Sequence, residues 1–256
     1  MSSPKPVPLR HNPAQKPLFN GNPINYRYTV TFEKVGPARF LGHLDLQTLF
    51  HRALLRAKLP ASYSQGFNPH LLVSFAQPLP LGMTSRVELL DIEMDEIIDE
   101  SLLVSRLNIS LPDGLKALSA ALMPLGTKSM ASMVSGALYE MDFPADELLR
   151  AGIGNAMREM LSSEAIVIDK KTKRGSTPTD IRPDIFALKD ISAGERIAVR
   201  AELATGSYRN LKPEFVAKWL ADFCGAPFSP FAMRYARLEL HLNGRDACPD
   251  DESNPS

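Results

Sequence analysis

The run Tyr26-Arg-Tyr-Thr-Val-Thr-Phe-Glu33 sets Tyr26, Tyr28, Val30 and Phe32 at every second position, with polar residues between them. Alternation of that kind predicts a half-buried strand, because successive side chains of a strand point to opposite faces. Gly36-Pro37 breaks the pattern, and the period then changes. Leu46, Leu49, Phe50, Ala53, Leu54 and Ala57 fall at offsets 0, 3, 4, 7, 8 and 11, a single apolar stripe on a helix that Pro60 ends. Strands are expected over 71–76 and 87–94, and a helix over 99–110 with Asp99 as N-cap and Pro112-Asp113-Gly114 as its stop. A weaker strand over 115–123 completes the order β-α-β-β-α-β, that of a ferredoxin-like unit.

The second half of the chain repeats that order without evident identity. Residues 137–143 read as a strand, and Leu149, Ile153, Ala156, Met157, Met160 and Leu161 as a helical stripe. Strands at 165–169 and 185–191 flank a charged insertion. Ile197, Val199, Ala201 and Leu203 alternate over 196–204, and Ala236, Leu238, Leu240 and Leu242 alternate as the last strand. Between them lies a helix opened by Pro213 and stopped by Gly225, whose Trp219, phenylalanines and Cys224 are expected in the core. The fold class is therefore α+β, two tandem ferredoxin-like halves at 26–123 and 137–243 joined by 124–136. Residues 1–25 and the acidic 244–256 lack a hydrophobic period and read as disordered tails.

Composition limits the function classes. The 256 residues hold 29 basic and 29 acidic side chains, so no overall field favours nucleic acid, and any such contact must be local. Cys224 and Cys248 have no partner spacing, which leaves neither a zinc ribbon nor a cluster held by this chain. No run is long and apolar enough for a membrane span, and the chain reads as soluble and cytoplasmic.

Three segments could carry chemistry. Gly42-His-Leu-Asp45 opens the first helix, and Ser64-Gln-Gly-Phe-Asn-Pro-His70 follows it; His43, Asp45, Ser64, Gln65, Asn68 and His70 are candidate contacts. If these segments meet, two imidazoles and a carboxylate could bind a metal or run acid–base chemistry. Asp45 could equally cap its helix, and Asn68-Pro69 is ordinary turn chemistry. The second segment, 170–183, carries Lys171, Lys173, Arg174 and Arg182, suited to phosphates or to a solvated hairpin tip, with Asp180-Ile-Arg-Pro183 pinning its base. In the third, Ala204-Thr-Gly-Ser-Tyr-Arg-Asn-Leu-Lys-Pro213, a Gly-Ser loop before a helix offers free amides to an anion, with Ser207, Arg209, Asn210 and Lys212 beside them.

The runs Gly36-Pro-Ala-Arg-Phe-Leu-Gly-His-Leu-Asp45, Tyr63-Ser-Gln-Gly-Phe-Asn-Pro-His70 and Val73-Ser-Phe-Ala-Gln-Pro-Leu-Pro-Leu-Gly82 resemble the radical-SAM-linked domain-of-unknown-function family. Lys173-Arg-Gly175, Asp180-Ile-Arg-Pro183 and Gly206-Ser-Tyr-Arg-Asn-Leu-Lys-Pro213 agree less densely. Leu71-Leu72 departs from the family pattern, where a proline and a basic residue follow the histidine. The resemblance implies a bacterial-type accessory chain, either separate from a radical SAM protein or fused to it. The iron–sulfur cluster, S-adenosylmethionine and, in some forms, cobalamin would sit on that partner and none on this chain. It also implies a joint task in RNA metabolism, with tRNA or rRNA as partner. Paired ferredoxin-like halves also build tRNA pseudouridine synthases, but the loop at 64–70 lacks the aspartate nucleophile such an enzyme needs.

Three readings follow. The first is a non-catalytic module that binds an RNA-like substrate and presents it to a radical SAM enzyme. The second is an RNA-modifying or RNA-cleaving enzyme using His43, Asp45 and His70. The third is a protein-interaction scaffold without nucleic acid.

Overall fold

The computed structural model describes residues 18–19, 22–23, 25–172 and 175–242. Strands β1 (Leu18–Phe19) and β2 (Asn22–Pro23) pair as a small ribbon, so part of the stretch expected to be a tail carries backbone pairing. The rest of that stretch, and the tail expected at 244–256, lie outside the described residues.

The first half runs β3 (Tyr26–Lys34), α1 (His43–Arg56), β4 (Val73–Phe75), β5 (Thr84–Met94), α2 (Glu100–Ser110) and β6 (Leu115–Leu122). The apolar stripe of α1 is buried as its period requires, at Leu46, Phe50, Ala53 and Leu54. Phe32, Phe50 and Phe75 form an aromatic cluster with centroids 4.8 to 5.9 Å apart. Full burial of each such ring contributes about 1.5–3 kcal/mol. Asp99 caps α2 by accepting from the Leu102 N–H at 2.9 Å.

After a short helix, α3 (Met130–Met133), come β7 (Val134–Phe143), α4 (Glu147–Ser162), β8 (Val167–Thr172), β9 (Gly175–Asp180), β10 (Ile185–Asp190), β11 (Ile197–Ala204), α5 (Pro213–Phe223) and β12 (Arg234–Leu242). Of the strands expected either side of the charged insertion, only β10 enters the main sheet. β8 folds back on β9 as a separate hairpin. Trp219 stacks on Phe223 at 5.2 Å, yet Phe223 is 43% exposed, because Val216 and Leu220 occupy the centre of the buried stripe and these two rings its edge.

One eight-stranded sheet runs β10-β11-β7-β12-β5-β3-β6, with β4 also on β5. The long strand β5 makes this continuity possible. Its C-terminal part pairs with β4, and at its start Thr84 and Ser85 pair in parallel with Ala236 and Arg237 of β12. Each half keeps its own apolar core, but Leu79 and Met83, from the loop between β4 and β5, are buried in the core of the second half. That loop is a plug across the junction.

Candidate functional site

The N-terminal ends of α1 and α5, the 77–83 loop and strands β7 and β12 border a cleft of about 380 Å3. Gly42 and His43 come from the first of the sequence segments singled out above, and Asn210, Leu211, Lys212 and Pro213 from the third. Gln77 to Leu81 and Met83 form one wall, and Tyr139 and Arg237 the floor.

The floor is built around charge. Arg237 is 1% exposed, and its Nη1 donates to both carboxylate oxygens of Glu88 at 2.8 and 2.9 Å. Its Nη2 lies 3.3 Å from the Tyr139 hydroxyl and 3.4 Å from the Pro78 carbonyl. Lys34, fully buried, donates to the Leu41 carbonyl at 2.9 Å, immediately before Gly42. Burial pushes the Lys34 amine below its ordinary pKa and the nearby Arg237 adds to this, while the charge of Glu88 opposes them. Burial likewise pushes the Glu88 carboxyl up against the pull of Arg237. Two buried cations thus share one carboxylate.

None of Lys34, Gln77, Glu88, Tyr139 or Arg237 was singled out from the sequence. A signal existed for three of them. Lys34 continues the inward phase of Tyr28, Val30 and Phe32, Glu88 that of Leu90, Ile92 and Met94, and Tyr139 that of Ala137, Met141 and Phe143. Arg237 could not be found that way. Ala236, Leu238, Leu240 and Leu242 carry the apolar phase, but the register with β7 shifts between Arg237 and Glu239, and this bulge turns Arg237 inward.

The segments around α1 do not form one acid–base set. Asp45 reaches back to the Gly42 N–H at 3.2 Å and serves as a cap. His43 packs edge-on against Phe75 at 5.4 Å. Residues 64–70 form an exposed loop closed by the Ser64 hydroxyl, which lies 2.9 Å from Nδ1 of His70 and accepts from its backbone N–H at 3.1 Å. Gln65, Phe67 and Asn68 are exposed on it.

The histidine that senses His70 is His51, on α1. Its Nε2 is buried without a hydrogen-bond partner among the described residues. Burial first, and the charge of His70 second, hold its pKa below the ordinary 6.5. His51 is therefore expected to titrate below an ordinary imidazole in an NMR pH series, and His70→Ala to move its midpoint upward. An unmoved midpoint would uncouple the two rings. Because the folded state holds His51 neutral, its contribution to stability is present above pH 6.5 and declines as pH falls toward the lowered folded value.

The hairpin of β8 and β9 carries Lys171 near its tip; Lys173 and Arg174 lie outside the described residues, and so does Cys248. Its base is pinned. Asp180 accepts from the Ile166 N–H at 2.8 Å and the Arg182 N–H at 3.0 Å, which holds its carboxyl below the ordinary value. Arg182 donates to the carbonyls of Ile185 and Leu161 at 2.9 and 2.7 Å. In the third segment, Ser207 donates to the Ala131 carbonyl at 3.0 Å, and Arg209 is paired with Asp184 at 2.5 Å. Asn210 and Lys212 face the cleft. On the second half of the sheet Arg196 and Arg200 are neutralised by Glu140 and Asp142. No group of three or more histidine, cysteine or acidic side chains suited to a metal occurs among the described residues. None of their helices is long and apolar enough to cross a membrane.

Residues 27–213 match a family described as "Uncharacterized protein conserved in bacteria (DUF2344)". No curated protein matches the chain. Among solved structures, a chain of "Crystal Structure of a Cbf5-Nop10-Gar1 Complex" is similar at 8% identity and a TM-score of 0.44, over 83% of this chain and 48% of that one. This chain therefore spans about half the length of that one. An unknown protein from Galdieria sulphuraria is similar at 12% identity and a TM-score of 0.25, over 86% of this chain and 99% of that one.

Proposed function

The chain belongs to the bacterial family DUF2344, and we propose that it serves as a non-catalytic binding module that presents an RNA-like substrate to a radical SAM enzyme. The observation that carries this reading is convergence. Residues 42–43, 77–81 and 210–213, from three separate runs of the family resemblance, line one cleft with the buried Arg237–Glu88 pair in its floor. The shared geometry suits holding a ligand. A catalytic role for His43, Asp45 and His70 is less favoured, because Asp45 is engaged in capping and His70 is tied to Ser64.

On this reading the radical chemistry belongs to the partner, with its iron–sulfur cluster, S-adenosylmethionine and, in some forms, cobalamin. The exposed 64–70 loop is the surface for specific contact. Lys171, Lys173 and Arg174 serve phosphates, with Lys212 at the cleft. The same reading takes the molecule as two tandem ferredoxin-like halves. The strand orders β6-β3-β5-β4 and β10-β11-β7-β12 support it, since in each the first strand lies between the third and the fourth.

Crosslinking of the purified chain to total cellular RNA tests the proposal. One tRNA or rRNA class should be enriched at low salt and lost as salt rises. In Lys173→Glu/Arg174→Glu, the slope of log affinity against log salt should become shallower by about 1.4 for two phosphate contacts on a single strand. Retention of no RNA at low salt would sink the reading and leave the loops as a protein-docking surface.

A further inference from the structure

We propose that the cleft is a pocket for one terminal phosphate monoester carried on a small, flat-faced body, such as a nucleotide. This rests on the substrate-binding reading and narrows it: the cleft takes the phosphorylated end of a molecule, and the middle of an RNA strand passes elsewhere.

The charge of the pocket calls for an anion. Lys34 and Arg237 are each at least 99% buried and have only Glu88 between them, which leaves one positive charge uncompensated beneath the floor. Lys212, exposed at the rim, makes no ion pair among the described residues and adds a second. Arg209, close by in the chain, adds nothing because Asp184 neutralises it. A phosphate monoester carries about −1.5 to −2 at neutral pH, so it matches both charges, where a carboxylate or an internal phosphodiester matches one. Burying an unpaired charge is costly, and a ligand that supplies the missing anion gains what the empty pocket lacks.

Polar side chains not engaged by the protein line the same place. Gln77 is 7% exposed, yet its carboxamide has no hydrogen-bond partner among the described residues. The half-buried His43 and the exposed Asn210 add two more polar side chains to the lining. These planar donors and acceptors can read the edge of a heterocycle, and the prolines and leucines of the 78–81 wall offer it an apolar face. The N-terminal turns of α1 and α5 also border the pocket, but Asp45 offsets the first, so the weight falls on Lys34, Arg237 and Lys212.

Titration calorimetry of the full chain with adenosine and uridine 5′-monophosphates, the parent nucleosides and inorganic phosphate tests this. A monophosphate should bind at least tenfold more tightly than its nucleoside. Lys212→Glu, at an exposed position, should weaken it a further tenfold or more, with an unchanged circular dichroism spectrum. Equal affinity for nucleotide and nucleoside, or no heat from either nucleotide at millimolar concentration and low salt, would overturn the proposal. A 5′-phosphorylated oligoribonucleotide compared with its dephosphorylated form separates the sources. Tighter binding of the phosphorylated form identifies an RNA end. Binding of free nucleotides with no such preference keeps the pocket, assigns it to a small phosphorylated molecule, and overturns the RNA reading alone.

Discussion

Glu88→Gln is expected to lower the unfolding free energy by about 3–5 kcal/mol, read as a fall in the urea midpoint at an unchanged slope. The amide keeps the shape of the side chain but removes the anion that pairs with Arg237 and whose charge also acts on Lys34. Breaking a buried ion pair from one side leaves the other charge stranded, and here two cations would be stranded together. The effect is also one of position. Glu88 stands on β5 and Arg237 on β12, the strands whose short parallel pairing joins the halves, and Arg237 also reaches the Gln77 and Pro78 carbonyls. The variant should therefore loosen the junction and the cleft together. Replacing the pair jointly, Glu88→Leu with Arg237→Met, should recover part of the loss, because apolar isosteres remove the desolvation cost of that pair while Lys34 still lacks its anion. A double replacement no more stable than the single one would show that the two side chains act separately.

Gly206→Ala is expected to cost about 1–3 kcal/mol, the range for forcing an extra methyl into a packed site. A Cβ at Gly206 would overlap the carbonyl oxygen of Val134, with Val134 C at 3.2 Å and Ser135 Cα at 3.7 Å behind it. These are backbone atoms of β7 and cannot turn aside as a side chain would. The neighbouring Thr205 is fully buried; its N–H donates to Ser135 at 3.2 Å and its hydroxyl lies 3.1 Å from that of Tyr139. Displacing Gly206 therefore moves the loop that carries Asn210 and Lys212, and nucleotide affinity should fall about tenfold, equivalent to about 1.4 kcal/mol. Thermal unfolding and calorimetry on the same sample check both parts. Full affinity in a destabilised variant would uncouple the loop from the pocket.

The elements were legible where one period dominates. The alternation of Tyr26, Tyr28, Val30 and Phe32 and the stripe from Leu46 to Leu54 appear as β3 and α1, with the buried faces their spacing requires. The candidate site was legible in pieces. His43, Asn210 and Lys212 lay in segments marked for their polar content, and they line the cleft. Asp45, Arg182 and Arg209, marked for the same reason, are occupied by Gly42, by two backbone carbonyls and by Asp184. A polar residue in a loop has the same appearance in sequence whether it serves a ligand or its own chain.

Sequence alone determined the order of the main-sheet strands and of the long helices, because period, caps and turn residues are local properties of the chain. It also carried the family resemblance, since that rests on contiguous runs. Only the tertiary structure decided that the halves share one sheet, that the 77–83 loop plugs the junction, and that Lys34, Glu88 and Arg237 form a buried cluster. Those features depend on a parallel pairing between residues about 150 positions apart and on a bulge that reverses the phase of Arg237. Neither leaves a local mark, since each exists only once distant strands have met.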